Sequence, residues 1–248
     1  MRLRKWFAIG IVAVLSLSLV GSIGAGPVDN PGKGPPQLEK KIFIHYKKDF
    51  AKPPDAGKGA REAACYDFMA KGLKWKTLPA SYVIDSDNED GLTQAFIVNA
   101  INLSAAEWDF DTSAGLFGTY TIDQNASWDG DNPDGRNELV FDNYSDGNVI
   151  AITVVWGYFS VPPPLRAIVE FDVMFDTDFV WGDATKNESV MDLQNIATHE
   201  LGHGIGLADV YETKCSTVTM YGYSWEGDVG KRTLEPADIT GLQQLYGK

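Results

Sequence analysis

Hydrophobic and polar positions divide the chain into short strands and longer helices. Runs of β-branched and aromatic residues, bounded by Gly, Asn, Asp and Pro, predict strands over 82–84, 120–122, 138–141, 149–156 and 167–175. Apolar side chains at helical spacing predict helices over 92–108, 190–204 and 236–246. One helix, several strands and two further helices are typical of an α+β domain.

The N-terminus, residues 1–26, is predicted to be a secretory signal peptide. Arg2, Arg4 and Lys5 precede an apolar run over 6–20, and small residues follow that run. The run is short for a membrane span, so stable membrane association is not expected. An uncleaved anchor is the alternative. In either case we expect the rest of the chain to lie outside the cytoplasm, where disulfides persist.

Composition and charge change along the chain. The 248 residues are 44% apolar and carry a net charge of −13, which is ordinary for a folded protein and argues against a nucleic-acid-binding surface. Residues 27–61 hold eight basic and four acidic side chains among Pro and Gly, which predicts a linker or a short propeptide. We expect His45, which lies among its lysines, to be solvated. Residues 62–248, with ten basic and thirty acidic side chains, are predicted to form the main domain.

The candidate chemistry lies in the stretch HELGHGIGLAD at residues 199–209. On a helix, His199 and His203 lie one turn apart on the same face, so both imidazoles can bind one metal ion. Zinc lowers the pKa of a bound water to about 7. Glu200 follows the first histidine and could take the proton of that water as it attacks a carbonyl. Glu200 is therefore the predicted general base.

A third metal ligand has several candidates, because the chain holds only three histidines. Gly206 can adopt a left-handed conformation that ends the helix and turns the chain back. Asp209 then offers a carboxylate near the metal and is the favoured third ligand. The alternatives are His45, across a linker rich in Pro and Gly, and a glutamate from a later element: Glu212, Glu226 or Glu235.

These motifs resemble those of the metzincin metalloproteases. Their HExxHxxGxx motif is followed by a third ligand, which here is aspartate, as in the snapalysin group. The sequence TVTMY at 217–221 matches the methionine turn of the family. The C-terminal sequence KRTLEPADITGLQQLYG is most similar to matrixins and their microbial relatives. The resemblance covers roughly residues 63–248.

The resemblance implies a metzincin-like α+β fold. This fold has a twisted mixed sheet with one antiparallel edge strand, a long active-site helix, and a small C-terminal subdomain with the methionine turn and a terminal helix. Residues 149–156 would be the edge strand, which pairs with extended substrate. Met220 would form the floor beneath the metal, and Tyr221 would line the pocket. No PRCG-type propeptide sequence is present.

The two cysteines and one acidic turn are further candidate sites. A secreted protein favours a Cys65–Cys215 disulfide. The alternative is that Cys65 caps the zinc. The turn over 129–137 offers closely spaced oxygen ligands that suit Ca²⁺. Its alternative is a solvated turn. The candidate calcium ligands are Asp129, Asp131, Asp134 and Asn137.

The sequence therefore predicts a secreted, monomeric zinc endopeptidase that acts on proteins or peptides. Zn²⁺ is the expected cofactor and Ca²⁺ a second candidate ion. A catalytically silent metal-site protein that acts as an extracellular binding module is the first alternative, although the intact Glu200 argues against it. A zinc hydrolase acting on a non-peptide amide is the second. We also expect the Asp209 carboxylate to weaken the Lewis acidity of the metal.

Overall fold

A computed structural model of the protein describes residues 35–48 and 64–248. The described residues from Pro36 onward belong to one compact unit. The predicted signal peptide over 1–26 lies outside the described residues. Among the described helices, none is long and apolar enough to cross a membrane.

The described residues form eleven strands and three α-helices. The strands are β1 (Glu39–Lys47), β2 (Asp67–Phe68), β3 (Ala80–Ile84), β4 (Phe117–Ile122), β5 (Glu138–Asp142), β6 (Val149–Tyr158), β7 (Ala167–Asp176), β8 (Trp181–Gly182), β9 (Met191–Asp192), β10 (Leu207–Ala208) and β11 (Tyr223–Ser224). The helices are α1 (Gln94–Phe110), α2 (Leu193–Gly204) and α3 (Pro236–Tyr246).

Seven of these strands form one mixed sheet in the order β11-β1-β6-β7-β5-β3-β4. β4, β3, β5 and β7 are parallel to their neighbours in that series. β6 runs antiparallel to β7 and also to β1, while β11 is parallel to β1. The mixed α+β architecture and the antiparallel strand are confirmed. The outer edge of that strand is covered by β1, which leaves β6 inside the sheet.

The main hydrophobic core joins the sheet to α1 and α2. Trp108 of α1 and Phe171 of β7 are among its largest fully buried side chains. The Trp108 indole donates a hydrogen bond of 2.8 Å to the carbonyl oxygen of Thr198 in α2. Burying large aromatic side chains stabilises the packing, and the indole bond satisfies the buried donor. The two helices are thereby held together beneath the sheet, with α2 carrying the candidate motif.

The active-site helix begins later than the sequence predicts. Residues 191–192 form the short strand β9, and α2 starts at Leu193. The Asp192 side chain caps the helix by accepting a hydrogen bond of 2.9 Å from the Asn195 backbone nitrogen. It also forms an ion pair with Arg232, which fixes the start of α2 against the C-terminal part of the chain. An aspartate cap satisfies one of the free N–H groups of the first turn.

The strand β1 lies inside the sheet, although the sequence places the start of the main domain near residue 62. Half-buried and exposed positions alternate from Glu39 through Phe43, as expected of a strand, and the β-branched and aromatic run from Ile42 to Ile44 favours extended backbone. Ile44 and Tyr46 pack on a small cluster formed by Val149 and Ile152 of β6 with Val140 and Met174. Residues 36–48, which precede the predicted start of the domain, therefore belong to the folded unit.

Candidate active site

The candidate metal ligands are brought together by the end of α2 and the turn after it. His199 and His203 lie on one face of the helix, with their ring centroids 4.9 Å apart. Gly206 has φ +109°, a left-handed conformation that ends the helix, and a Cβ there would lie 3.1 Å from the Leu73 carbonyl oxygen. The chain then returns through β10 and delivers Asp209 to the same face.

The spacing of the three side chains suits a metal ion. Asp209 Oδ1 lies 3.1 Å from His199 Nε2 and 3.5 Å from His203 Nε2. Tetrahedral zinc with bonds of about 2.0–2.1 Å separates its ligand atoms by about 3.3 Å. His199 Nε2 and Asp209 Oδ1 are buried and lack a hydrogen-bond partner of acceptable geometry among the described residues. Buried ligand atoms that lie this close together without hydrogen-bond partners fit a zinc ion between them.

Hydrogen bonds on the far side of each ring orient the two imidazoles. His199 Nδ1 lies 2.7 Å from the Thr219 carbonyl oxygen, and His203 Nδ1 lies 3.0 Å from that of Leu207. Because a carbonyl oxygen only accepts, each Nδ1 carries the proton and each Nε2 is left to bind a metal. The backbone therefore fixes the tautomer that metal binding needs.

The charge of the candidate site is set by burial and by Asp209. Burial and the nearby Lys231 ammonium lower the pKa of His199 to about 3, which keeps its ring neutral. Burial opposes ionisation of Asp209, but the two histidines outweigh it and hold its pKa well below the usual range. Burial also lowers the pKa of His203, but Asp209 more than offsets this and raises it. The ionised Asp209 therefore favours positive charge at this position, as a metal ion would supply.

Glu200 is fully buried beside these ligands and is held by two contacts. Its Oε2 accepts a hydrogen bond of 2.5 Å from Thr153 Oγ1 on β6, and its Oε1 lies 2.9 Å from Nδ1 of His45 on β1. Burial raises the pKa of Glu200 to about 7. A carboxylate with a pKa near neutrality suits proton transfer at physiological pH.

His45 is not solvated, and that prediction is wrong. The side chain is 1% exposed, its ring centroid lies 4.0 Å from that of His199 at an interplanar angle of 36°, and its Nε2 lies 3.0 Å from Lys231 Nζ. Of the three glutamates predicted as alternatives, Glu212 is not grouped with the histidine pair among the described residues, and the other two lie in other interactions. Glu226 forms an ion pair of 2.6 Å with Lys47, and Glu235 caps α3. In the described chain, Asp209 is the carboxylate grouped with the histidine pair.

The methionine turn packs directly under α2. Met220 is fully buried, and a Cβ on Gly202 would lie 2.3 Å from its Sδ. The turn is held by Asp238, whose carboxylate accepts hydrogen bonds of 2.8 Å from the Thr219 nitrogen and 3.1 Å from the Met220 nitrogen. Because a side chain at position 202 would meet Met220 Sδ, only glycine there permits α2 to pack so closely on the methionine turn. Tyr221 follows Met220 and is half-buried.

Sequence reasoning missed several residues that support the site. Asp238 resembles an ordinary residue of the first helical turn, although it fixes the methionine turn. Tyr211 Oη donates a hydrogen bond of 3.1 Å to Asp209 Oδ2, which orients that carboxylate. Lys231 is buried and donates to the Tyr221 carbonyl oxygen. The only sequence signal for Thr153 is that it places a hydroxyl group in the otherwise apolar run of β6.

The disulfide joins Cys65 to Cys215, as the sequence favoured. Cys65 is therefore not free to cap a zinc ion. Cys215 is fully buried, with Val210 and Val218, in the loop between Asp209 and Met220. The bond thus links the start of the domain to the segment that carries the third candidate ligand and the methionine turn.

The acidic turn forms a cluster that differs from the predicted set. Oxygens of Asp129 and Asp134 lie within 4.8 Å of one another and of Glu170 on β7. Asp131 instead forms an ion pair with Lys40. The amide of Asn137 bonds to backbone atoms of Ser81 and Phe171. Asp131 and Asn137 are therefore not part of this cluster, because a lysine and backbone groups engage them.

Comparisons with known proteins point to one family. The matrixin family model matches residues 74–247. Karilysin of Tannerella forsythia is 28% identical over 73% of this chain, which is 35% of karilysin. The macrophage metalloelastase of Oryctolagus cuniculus is 36% identical and the matrilysin of Rattus norvegicus 37% identical, each over 31% of this chain. The matched regions are 15% and 27% of those two proteins, so this chain spans about a third or less of each relative.

Proposed function

The chain belongs to the matrixin family of zinc metalloendopeptidases, and from that premise we propose that it is a secreted endopeptidase that hydrolyses peptide bonds. One observation carries the proposal. Two buried ligand atoms, His199 Nε2 and Asp209 Oδ1, lack a hydrogen-bond partner of acceptable geometry among the described residues, and both lie near His203 Nε2. Glu200 lies on the same helix as the two histidines. We assign these three side chains as the zinc ligands and Glu200 as the general base.

The residues of this chain supply positioning and proton transfer. Bound zinc would supply a Lewis acid that polarises the substrate carbonyl and makes a water molecule more acidic. Glu200 takes the proton of the attacking water and returns it to the leaving amine. Thr153 holds one oxygen of Glu200, so the other is free to accept that proton once His45 is displaced. The near-neutral pKa of Glu200 suits both transfers.

Asp209 distinguishes this site from one with three neutral ligands. Its negative charge favours binding of a cation but reduces the Lewis acidity of the metal. We expect Asp209→His to keep zinc and to raise the catalytic rate. A variant that binds zinc but is inactive would contradict this expectation.

We also propose a calcium ion at the acidic cluster of Asp129, Asp134 and Glu170. Glu138 and Asp172 are buried beside it, and their pKa values are raised by burial, with the other carboxylates contributing. Several carboxylates at such short range are stabilised by a divalent cation. The site would stabilise the sheet at the starts of β5 and β7 rather than take part in hydrolysis.

Secretion of a monomeric enzyme completes the proposal. The pattern over 1–26 and the Cys65–Cys215 disulfide both support a location outside the cytoplasm. We propose protein or peptide substrates, because the relatives are peptidases.

Mass spectrometry of the products tests the peptidase assignment. Casein is incubated with the intact chain and with a cut chain. The cut chain carries an introduced recognition sequence for a site-specific protease within residues 49–63 and is cleaved there, so that the segment with His45 can be removed from Glu200. New peptide termini that disappear when zinc is chelated and return with added zinc would support the proposal. A zinc-loaded protein that produces no termini but hydrolyses an N-acyl amide would favour a hydrolase of another class.

A further inference from the structure

Lys231 is a buried lysine beside the candidate metal site. It is 3% exposed and lies in a short 3-10 turn, Gly230–Arg232, between the methionine turn and α3. Its ammonium donates a hydrogen bond to the Tyr221 carbonyl oxygen and lies 3.0 Å from His45 Nε2. His199 Nδ1, 3.5 Å away, already carries a proton and cannot accept another bond. The ammonium therefore has two acceptors, and one of them is the His45 ring.

No carboxylate pairs with the Lys231 ammonium at close range in the described part of the chain. Four carboxylates act on its charge from further away, those of Asp228, Asp209, Glu200 and Asp238. Asp228 accepts hydrogen bonds from its own turn, and Asp238 holds the methionine turn. Asp209 and Glu200 belong to the proposed zinc site. A buried charge without a paired counter-ion is costly, so a ligand that brings a carboxylate to this ammonium would be stabilised there.

The His45 ring marks the place from which a side chain reaches Lys231. Because an ammonium only donates, His45 Nε2 accepts from Lys231, and its Nδ1 then carries the proton that faces Glu200 Oε1 at 2.9 Å. One side chain thus lies next to both the buried lysine and the proposed general base. In the proposed reaction a substrate peptide must reach Glu200, so a substrate side chain there would face Lys231.

A glutamate side chain fits this place by its length and its charge. Its carboxylate oxygens lie as many bonds from Cα as Nε2 of a histidine does, whereas those of an aspartate lie one bond closer. Ionised glutamate would accept a hydrogen bond from the ammonium and neutralise it, and such charge-assisted bonds are roughly twice as strong as neutral ones. Glutamine has nearly the same shape but offers only a neutral oxygen.

We propose that Lys231 forms a subsite that binds a glutamate side chain of the substrate next to the cleaved peptide bond. The inference rests on the proposed peptidase function and names its substrate class, peptides with an acidic residue at one fixed position. A lysine that only holds the Tyr221 carbonyl oxygen would favour no particular side chain of the substrate.

Peptide binding to an inactive cut chain tests the subsite without any activity. The zinc-loaded cut chain with Glu200→Gln is titrated, by fluorescence anisotropy, into labelled peptides of residues 37–48 that carry His45→Glu or His45→Gln. We expect the glutamate peptide to bind at least about tenfold more tightly than the glutamine peptide. Lys231→Met should bring the two affinities to within about twofold, which a carboxylate bound to the zinc ion would not do.

The matched control is Lys214→Met, which removes an exposed lysine and should leave the preference for the glutamate peptide unchanged. Zinc content and urea unfolding show whether each variant is folded. The comparison of the two peptides on the chain that retains Lys231 does not depend on any variant of that lysine.

The cleavage sites in casein are the second measurement. The cut chain with Glu200 intact should cleave bonds that have glutamate at one fixed position within two residues, about tenfold more often than the composition of casein predicts. Lys231→Met should abolish this enrichment while zinc content stays the same, and Lys214→Met should preserve it.

The outcomes separate the subsite from the peptidase. If casein is cleaved but either the enrichment or the preference for the glutamate peptide is missing, the peptidase proposal stands and the subsite is wrong. If no form cleaves casein, the peptidase proposal fails, and the two affinities alone decide whether Lys231 binds a carboxylate. Equal binding of both peptides, binding of neither, or equal weakening of both by Lys231→Met would refute the subsite.

Discussion

Removing the disulfide should destabilise the protein more than most single changes. The bond between Cys65 and Cys215 closes a loop of 150 residues. The chain-entropy relation gives about 5 kcal/mol at 25 °C for a loop of that length, and native disulfides typically contribute about 2–4 kcal/mol. We expect the Cys65→Ala/Cys215→Ala double variant to lose between about 2 and 5 kcal/mol of unfolding free energy.

Removing the disulfide should also weaken zinc binding at the candidate metal site. Cys215 is fully buried between Asp209 and Met220, so the bond restrains the loop that positions the third ligand. The short pairing of Leu207 with Phe68 holds the start of that loop independently. We therefore expect weaker zinc binding in the variant but not a complete loss of the site.

Urea unfolding followed by tryptophan fluorescence measures the first effect, and zinc titration against a chelating dye measures the second. The unfolding curves are recorded in excess chelator and again in excess zinc, since zinc bound to the folded state adds stability. A thiol reductant serves as the control, because it should leave the double variant unchanged. A loss below about 1 kcal/mol with zinc affinity intact would refute the reasoning.

Three further changes test other parts of the account. Gly202→Ala brings a Cβ to 2.3 Å from Met220 Sδ, so unfolding free energy measured in urea should fall by about 1–3 kcal/mol, and an unchanged value would contradict the packing. Thr153→Val removes the donor to Glu200, so casein cleavage by the cut chain should fall about tenfold at constant zinc content, and an unchanged rate would exclude a positioning role for Thr153. Burial raises the pKa of Asp172 to about 8, so the neutral form is favoured on folding. Without calcium, the contribution of Asp172 to stability should be fullest below about pH 4 and should be lost, by an amount on the order of a few kcal/mol, as pH rises through 8. Asp172→Asn should flatten this dependence in denaturation curves, and an unaltered curve would contradict it.

Local sequence signals predicted the helix that carries the motif and the turn after it. His199 and His203 share a face because of helical geometry, and Gly206 adopts the left-handed conformation expected of a helix stop. These features depend on residues close in sequence. The mixed sheet followed from the resemblance and from strand patterns of ordinary length.

Contacts between distant segments were not predictable in the same way. The sequence predicts a linker or a short propeptide over residues 27–61, because lysines and breakers surround a short apolar patch, yet Glu39–Lys47 form the strand β1. Its pairing with β6 joins residues more than a hundred positions apart. Glu170 shows the same limit, since an acidic residue among the apolar residues of β7 gives no sign that it lies near Asp129 and Asp134.

The most direct measurement is zinc content together with casein cleavage for the cut chain and its Glu200→Gln variant. The account predicts one zinc per chain in both proteins and cleavage only in the chain that retains Glu200. Zinc in both with equal cleavage would remove Glu200 from the reaction, and absence of zinc from both would contradict the assignment of His199, His203 and Asp209 as ligands.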